Sequence, residues 1–265
     1  MNVGELVSLL ESIVPPAYAC DWDNTGLVCG RLGSPVRRVM VAVDARERVI
    51  RQAAAEGVQF LLTHHPLIFG GGITSVNEAT LTGRKLLMLI ENGIACYGMH
   101  TSFDAAPGCM ADLAAARLGL TDTRYMLPAE PEGLPAGGIG VVGELPEPMK
   151  EEELAEAVKR AFGLFTVNLI SVSEDRLIRK AALLPGSGKG EVDIAREMGA
   201  QAMVTGDITH HVGIDGADEG LTIIDAGHFG VEQIFVPFMA ETLRKRLPEG
   251  VEVLTARERN PFSIR

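Results

Sequence analysis

The sequence predicts an α/β protein of two similar lobes from an internal duplication, each a mainly parallel sheet flanked by helices, with a metal cleft between them. Three observations predict it. Short, continuous apolar runs alternate with longer amphipathic ones, the pattern of parallel strands covered on both faces. The same order of signals returns in the second half of the chain. Histidines and acids fall at the ends of the apolar runs in both copies, where open α/β sheets gather their ligands.

The elements follow in order. "MNVGELVSLLESIVPP" spaces Val3, Leu6, Leu9, Leu10 and Ile13 as one face of a helix. It has neither a basic leader nor a cleavage site and reads as an amphipathic helix, not a signal. "RRVMVAVDA" is a strand over Val39–Val43, and "RERVIRQAAAEG" is a helix stopped by Gly57. "VQFLLTHH" is a strand ending in His64 and His65, "GRKLLMLIENG" a helix ended by Gly93, and "IACYGMH" a strand ending at His100.

In the middle, "PAGGIGVVGELPEPMKEEELAEAVKRAFGLFTVNLISV" reads as strand, loop, helix and strand. Pro146 and Pro148 mark the loop, and Glu151–Glu153 favour the positive end of the helix dipole. Then come a strand in "RKAALLP", a helix in "GEVDIAREMG", a strand in "AQAMVTGD" and a strand in "LTIIDAGH" ending at His228. "FGVEQIFVPFMAETLRKRL" is a closing helix despite Pro237, its "LRKRL" cations suiting the last turn.

Aligning "EGVQFLLTHH" with "MGAQAMVTGD" pairs Gly57 with Gly199, Gln59 with Gln201 and Thr63 with Thr205. His100 then stands four residues before Asp104 as His228 stands four before Glu232. The predicted lobes are 1–125 with 226–265, and 126–225.

Composition bounds the function. A chain of 265 residues, 46% apolar, can bury a full core, and its net charge of −11 opposes phosphate-backbone binding. No run reaches the roughly 18 apolar residues that cross a bilayer. Cys20, Cys29, Cys96 and Cys109 lack zinc-ribbon spacing and read as reduced thiols. A cytoplasmic protein with no membrane and no nucleic-acid partner is expected. "LPGSGKGE" departs from a phosphate-binding loop at Leu183 and Gly190, so it reads as a flexible strand-to-helix turn.

Imidazole and carboxylate suit zinc, iron, manganese or nickel. The donors that the strand-end rule gathers are His64, His65, His100 and Asp104 from one lobe and Asp207, His228 and Glu232 from the other. Adjacent histidines suit two ions better than one, and a carboxylate can bridge ions about 3.5–4 Å apart in hydrolytic enzymes. The plainer alternatives are that Asp104 caps the following helix and that Glu232 balances a helix dipole.

The motifs "PPAYACDWDNTGLVCG", "LLTHHPLIF", "HTSFDAAPGCMADLAAARLGL", "GSGKG", "TGDITHH", "DAGHFGVE" and "NPF" occur in this order along nearly the whole chain. In this the chain resembles the NIF-three-like dinuclear-metal proteins, also called GTP cyclohydrolase I type 2 homologues. The resemblance implies two divalent ions per chain. It implies that His64 and Asp104 share one ion, His65 and His228 share the other, and Glu232 bridges both. It further implies a toroidal homohexamer with the metal sites facing an internal cavity. Phe103 and Cys109 depart from the family's usual "HTNLDAAPGG", and 265 residues leave no room for the domain that longer relatives insert.

The expected function is therefore a dinuclear metal-dependent hydrolase in which activated water attacks a small substrate, a nucleotide of the GTP cyclohydrolase type. His100, His210 and His211 are candidates for supporting the ligands or moving a proton. The alternative is a non-catalytic metal-binding or regulatory ring protein.

Overall fold

The computed structural model describes residues 1–70, 72–172, 176–260 and 262. The closing N-P-F motif lies partly outside these residues, at Pro261.

The chain opens with α1 (Val3–Ile13), whose first turn is closed by a reciprocal pair: the Asn2 side chain accepts from Glu5 N–H, and the Glu5 carboxylate accepts from Asn2 N–H. Its buried face is Val3, Leu6 and Leu10. After β1 (Gly26–Cys29) come β2 (Arg38–Ala42), α2 (Glu47–Ala55), β3 (Phe60–Thr63), α3 (Leu81–Glu91) and β4 (Ala95–Gly98). Gly57 and Gly93 follow the two helices with φ of 64°, the left-handed turn that stops a helix cheaply only at glycine. Every residue of β3 and β4 is buried, which is why these strands read as unbroken apolar runs. The short α4 (His100–Ala105) follows.

The second stretch runs α5 (Met110–Leu118), β5 (Thr121–Ala129), β6 (Gly137–Lys150), α6 (Glu151–Phe162), β7 (Asn168–Ile170), β8 (Leu177–Ser187), α7 (Val192–Glu197), β9 (Ala202–Gly206), α8 (His210–Asp218), β10 (Thr222–Asp225) and α9 (His228–Glu232). Its sheet has the order β5-β6-β8-β9-β10-β7, with β8, β9 and β10 parallel and the flanking pairs antiparallel.

Two expectations are corrected here. Pro146 and Pro148 do not form a loop: they lie within β6, where its pairing with β8 jumps between Glu144 and Met149. A proline cannot donate to a ladder, so it is tolerated where the ladder is interrupted. The segment read as a strand-to-helix turn is strand as far as Ser187, which pairs with Gly206, and only Gly188, Lys189 and Gly190 make the turn that leads to α7.

The chain then returns to the first sheet with α10 (Phe235–Arg246) and β11 (Glu252–Thr255), giving the order β1-β4-β3-β2-β11. Pro237 sits in the first turn of α10, where its missing N–H costs no helical bond. β11, β2, β3 and β4 are parallel, and β1 is antiparallel at the edge. The chain forms two compact units, Met1–Phe103 with Phe235–Arg265, and Asp104–Ile234. Met40, Ile50, Leu61 and Leu89 are central to the core of the first; Val142, Met203 and Ile223 to that of the second.

Both units repeat one local device. The Gln59 side-chain oxygen accepts from Arg37 N–H and Arg38 N–H, each at 2.9 Å. Gln201 accepts likewise from Arg179 N–H at 2.7 Å and Lys180 N–H at 3.2 Å. Each glutamine thus ties the start of one parallel strand to the start of the next. Thr63 and Thr205 are fully buried at the corresponding strand ends.

Candidate metal-ligating site

In the first unit the parallel strands bring Asp44 (after β2), His64 and His65 (after β3) and His100 (after β4) to the same edge of the sheet. The histidines keep bonding to the neighbouring strand after β3 ends: His64 N–H donates to Ala42 O at 3.2 Å and His65 N–H to Val43 O at 3.0 Å. The Thr63 hydroxyl donates to His65 O at 2.7 Å, folding the backbone so that both rings turn to one side. Their centroids are 4.8 Å apart. His100 donates its N–H to His64 O at 2.7 Å and takes a left-handed φ of 28°, which sets its ring 5.4 Å from that of His65.

Two of these imidazoles are oriented by carboxylates. His65 Nδ1 is 3.0 Å from Asp44 Oδ1, and His100 Nδ1 is 2.8 Å from Asp23 Oδ1. An ionised carboxylate only accepts, so each Nδ1 carries the proton and each Nε2 presents its lone pair. Burial pushes the Asp23 carboxyl up, but hydrogen bonds from His100 and Thr101 outweigh this and hold it below the usual carboxylate range. His64 is fully buried, its ring walled by Phe103 and Phe235 at centroid distances of 6.2 and 5.3 Å.

The second unit repeats the arrangement with different residues. Asp207 follows β9 with φ of 58°, and its Oδ2 lies 2.7 Å from His228 Nδ1. His228 opens α9 and Glu232 closes it, one turn apart, with His228 Nε2 3.1 Å from Glu232 Oε2. Two donors round one tetrahedral ion stand about 3.3 Å apart when their bonds are about 2.0–2.1 Å, so this spacing fits a shared ion. Gly186, with φ of +86°, passes directly beneath: a Cβ there would lie 2.6 Å from Glu232 Oε1. Gly186→Ala is therefore expected to displace the Glu232 carboxylate and cost about 1–3 kcal/mol in backbone strain. Urea unfolding checks the stability loss and metal titration the displaced ligand.

Asp104 lies inside α4 and does not cap the next helix, whose N-cap is Cys109 without a side-chain bond. Burial, with the nearby Asp112 and Asp104 charges, pushes the Cys109 thiol up to about 12, an inert packing group. All four cysteines are free thiols, buried or half-buried. Glu232 ends the five-residue α9, so it is not a first-turn carboxylate. His210 and His211 are exposed on the first turn of α8, their rings 5.3 Å apart. The supporting aspartates Asp23 and Asp44 were not among the sequence-derived site residues. "VAVDA" carried a signal for Asp44, an acid directly after an apolar strand.

The architecture and chemistry define a class: an α/β protein with two sheets, each built around adjacent parallel strands and flanked by helices, carrying imidazole and carboxylate donors at its strand ends. Among those donors, His64 and His65 in the first unit and Glu232 in the second are of the types that could hold a metal ion. The chain belongs to the Duf34/NIF3 (NGG1p interacting factor 3) family, whose model matches residues 1–261. It is 32% identical over 267 residues to the GTP cyclohydrolase 1 type 2 homolog of Clostridium perfringens, covering 100% of both chains. The protein of the same name from Lactococcus lactis is 33% identical over 267 residues, with 99% of each covered. A Bacillus cereus protein related to NIF3 has the same fold, with a TM-score of 0.91 at 25% identity over 100% of this chain and 99% of that one. Among the described residues, no helix is long and apolar enough to cross a membrane.

Proposed function

We propose that this chain is a dinuclear metal-dependent hydrolase acting on a small nucleotide-like substrate. His64 and Asp104 would hold one ion and His65 and His228 the other, with the Glu232 carboxylate available to both. The observation that carries the reading is the His228 arrangement, in which Asp207 holds Nδ1 while Nε2 stands 3.1 Å from Glu232 Oε2. An imidazole fixed in this tautomer beside a carboxylate is a pre-set metal ligand pair. The Asp44–His65 pair supports it independently in the other unit.

When bound, two divalent ions supply Lewis acidity and lower the pKa of an attacking water. The chain's own residues do the rest. Asp44 and Asp207 hold the ligand imidazoles in the Nε2-presenting tautomer, and Phe103 and Phe235 keep water from His64. His100, with its proton held on Nδ1 by Asp23, offers Nε2 to accept a proton from water or substrate.

The nucleotide class is supported by the relatives' name, GTP cyclohydrolase 1 type 2 homolog, and by two exposed aromatic rings. Trp22 and Phe69 make edge contacts with the His100 ring, at 5.9 and 5.3 Å, and a bond from Asn24 Nδ2 to Ile68 O joins their loops. Exposed aromatic faces beside a proton-accepting imidazole suit a flat ring. A homohexameric ring in the cytoplasm, with no nucleic-acid or membrane partner, completes the proposal.

The test is metal content per chain in protein purified without added metal, with GTP and phosphoester hydrolysis assayed on the same sample. Trp22 is the only tryptophan in the chain, so guanosine binding is expected to quench its fluorescence. About two ions with turnover is the expected result. Two ions without turnover would favour the second reading, a metal-holding or interaction protein, which the family's description as an interacting factor favours. No ion after reconstitution with zinc, iron, manganese or nickel would overturn both.

A further inference from the structure

We infer that Glu258, on the segment after β11, is a positioning residue for His65. Its carboxylate grips two successive backbone N–H groups, Val43 N–H at 2.6 Å through Oε2 and Asp44 N–H at 3.2 Å through Oε1. These two residues hold His65 from two directions. Val43 O accepts the His65 backbone N–H at 3.0 Å, and Asp44 Oδ1 accepts from the His65 ring at 3.0 Å. One half-buried carboxylate, 193 residues further along the chain than His65, thus fixes both the backbone and the ring of that histidine.

The segment that carries Glu258 is itself pinned to the same unit. β11 runs parallel to β2, so Glu258 emerges at the sheet edge where Asp44, His64 and His65 stand. Ala256 N–H donates to Val41 O at 2.9 Å, the Arg48 guanidinium donates to Arg257 O at 2.7 Å, and Arg257 N–H donates to Gln52 Oε1 at 2.9 Å. Glu258 is therefore delivered in a set register and does not have to search for its two donors. A carboxylate accepting two N–H bonds from one turn leaves the Asp44 backbone little freedom. The Asp44 side chain can then meet the imidazole without first being ordered, and partners of this kind matter nearly as much as the ligands they orient.

The inference rests on the proposed ligand role of His65, and the experiment separates the two. Imidazole nitrogen shifts of metal-free protein are recorded by NMR for wild type, Glu258→Ala, Glu258→Asp and Glu258→Gln, followed by zinc titration against a chromophoric chelator. In wild type His65 carries its proton on Nδ1. In Glu258→Ala and Glu258→Asp that preference is expected to weaken, because neither side chain reaches both N–H groups, and one of two zinc affinities falls about 10-fold or more. Glu258→Gln keeps one accepting oxygen but sets an amide NH2 against the other backbone N–H, so it is expected to restore only part of both. His228 lies in the other unit and serves as the control: its shifts stay unchanged if Glu258 acts on His65 and does not merely stabilise the fold.

Unchanged His65 shifts and unchanged zinc affinity in Glu258→Asp would overturn the inference. Wild type with an ordered His65 ring but no zinc would instead overturn the two-metal reading, and the NMR contrast would still decide the role of Glu258. If Glu258→Ala does not fold, the Asp and Gln variants decide alone.

Discussion

His65→Ala is expected to lower the metal content from about two ions per chain to about one, whereas Glu232→Ala is expected to remove both at micromolar metal. The difference follows from the proposed roles. His65 serves a single ion, and the other ion keeps His64, Asp104 and the bridging carboxylate. Glu232 serves both, and its removal also leaves His228 Nε2 without the oxygen that stands 3.1 Å away. Stability separates ligand loss from unfolding. His65 is largely buried with its ring bonded to Asp44, so deletion costs that hydrogen bond, about 1.5–3 kcal/mol for a charged partner. Elemental analysis and urea unfolding on the same samples check both. Equal metal loss in the two variants would remove the bridging assignment, and full metal in both would remove the dinuclear site. Turnover, where present, is expected to fall with metal in each variant.

How much of this was legible in the sequence depended on where the chain buries its strands. β2, β3 and β4 are parallel and covered on both faces, so Val39–Val43, "FLLT" and "ACYG" stand out as unbroken apolar runs. The repeat was legible because it serves a structural purpose: Gln59 and Gln201 bind equivalent backbone groups, and Gly57 and Gly199 take positive φ at equivalent helix ends. The edge strands were not. β1 has four half-buried residues and a break in its register, and β11 buries only Val253, so neither carries a periodic signal.

The same division holds at the site. His64, His65, His100 and His228 were visible because each follows a strand that could be read. The carboxylates that orient them were less so. Asp23 stands in the turn before β1, and Glu258 follows β11. Pairing of Asp23 with His100 and of Glu258 with the Val43–Asp44 backbone depends on which strand lies beside which, and local pattern carries no such information. β6 failed for the opposite reason. Its two prolines are a strong local signal of a loop, yet the strand carries on past the interrupted ladder to Lys150.

Phe103→Ala is expected to cost about 3–5 kcal/mol and to loosen His64. Phe103 is fully buried at the end of the first unit's contiguous segment, with Phe235 at 4.8 Å and Phe238 at 5.7 Å, both edge to face, and His64 at 6.2 Å. Truncation to Ala removes the ring from all three contacts and leaves a void that fully buried Phe235 cannot fill without leaving its own packing. Domains of this kind are stable by about 5–15 kcal/mol, so the loss is a large share of the total. The effect reaches chemistry through His64, which is fully buried and oriented partly by these rings. An imidazole released from that wall samples other rotamers, and the entropy of fixing it again must be supplied on metal binding. Phe103→Leu fills most of the volume with another apolar side chain, so it is expected to cost less than about 1.5 kcal/mol and to keep full metal content. Urea unfolding with zinc titration of the two variants separates the contributions. A Leu variant as unstable as the Ala variant would show that ring contacts, not volume, hold His64. An Ala variant with wild-type stability would mean that Phe103 does not support this wall of the core.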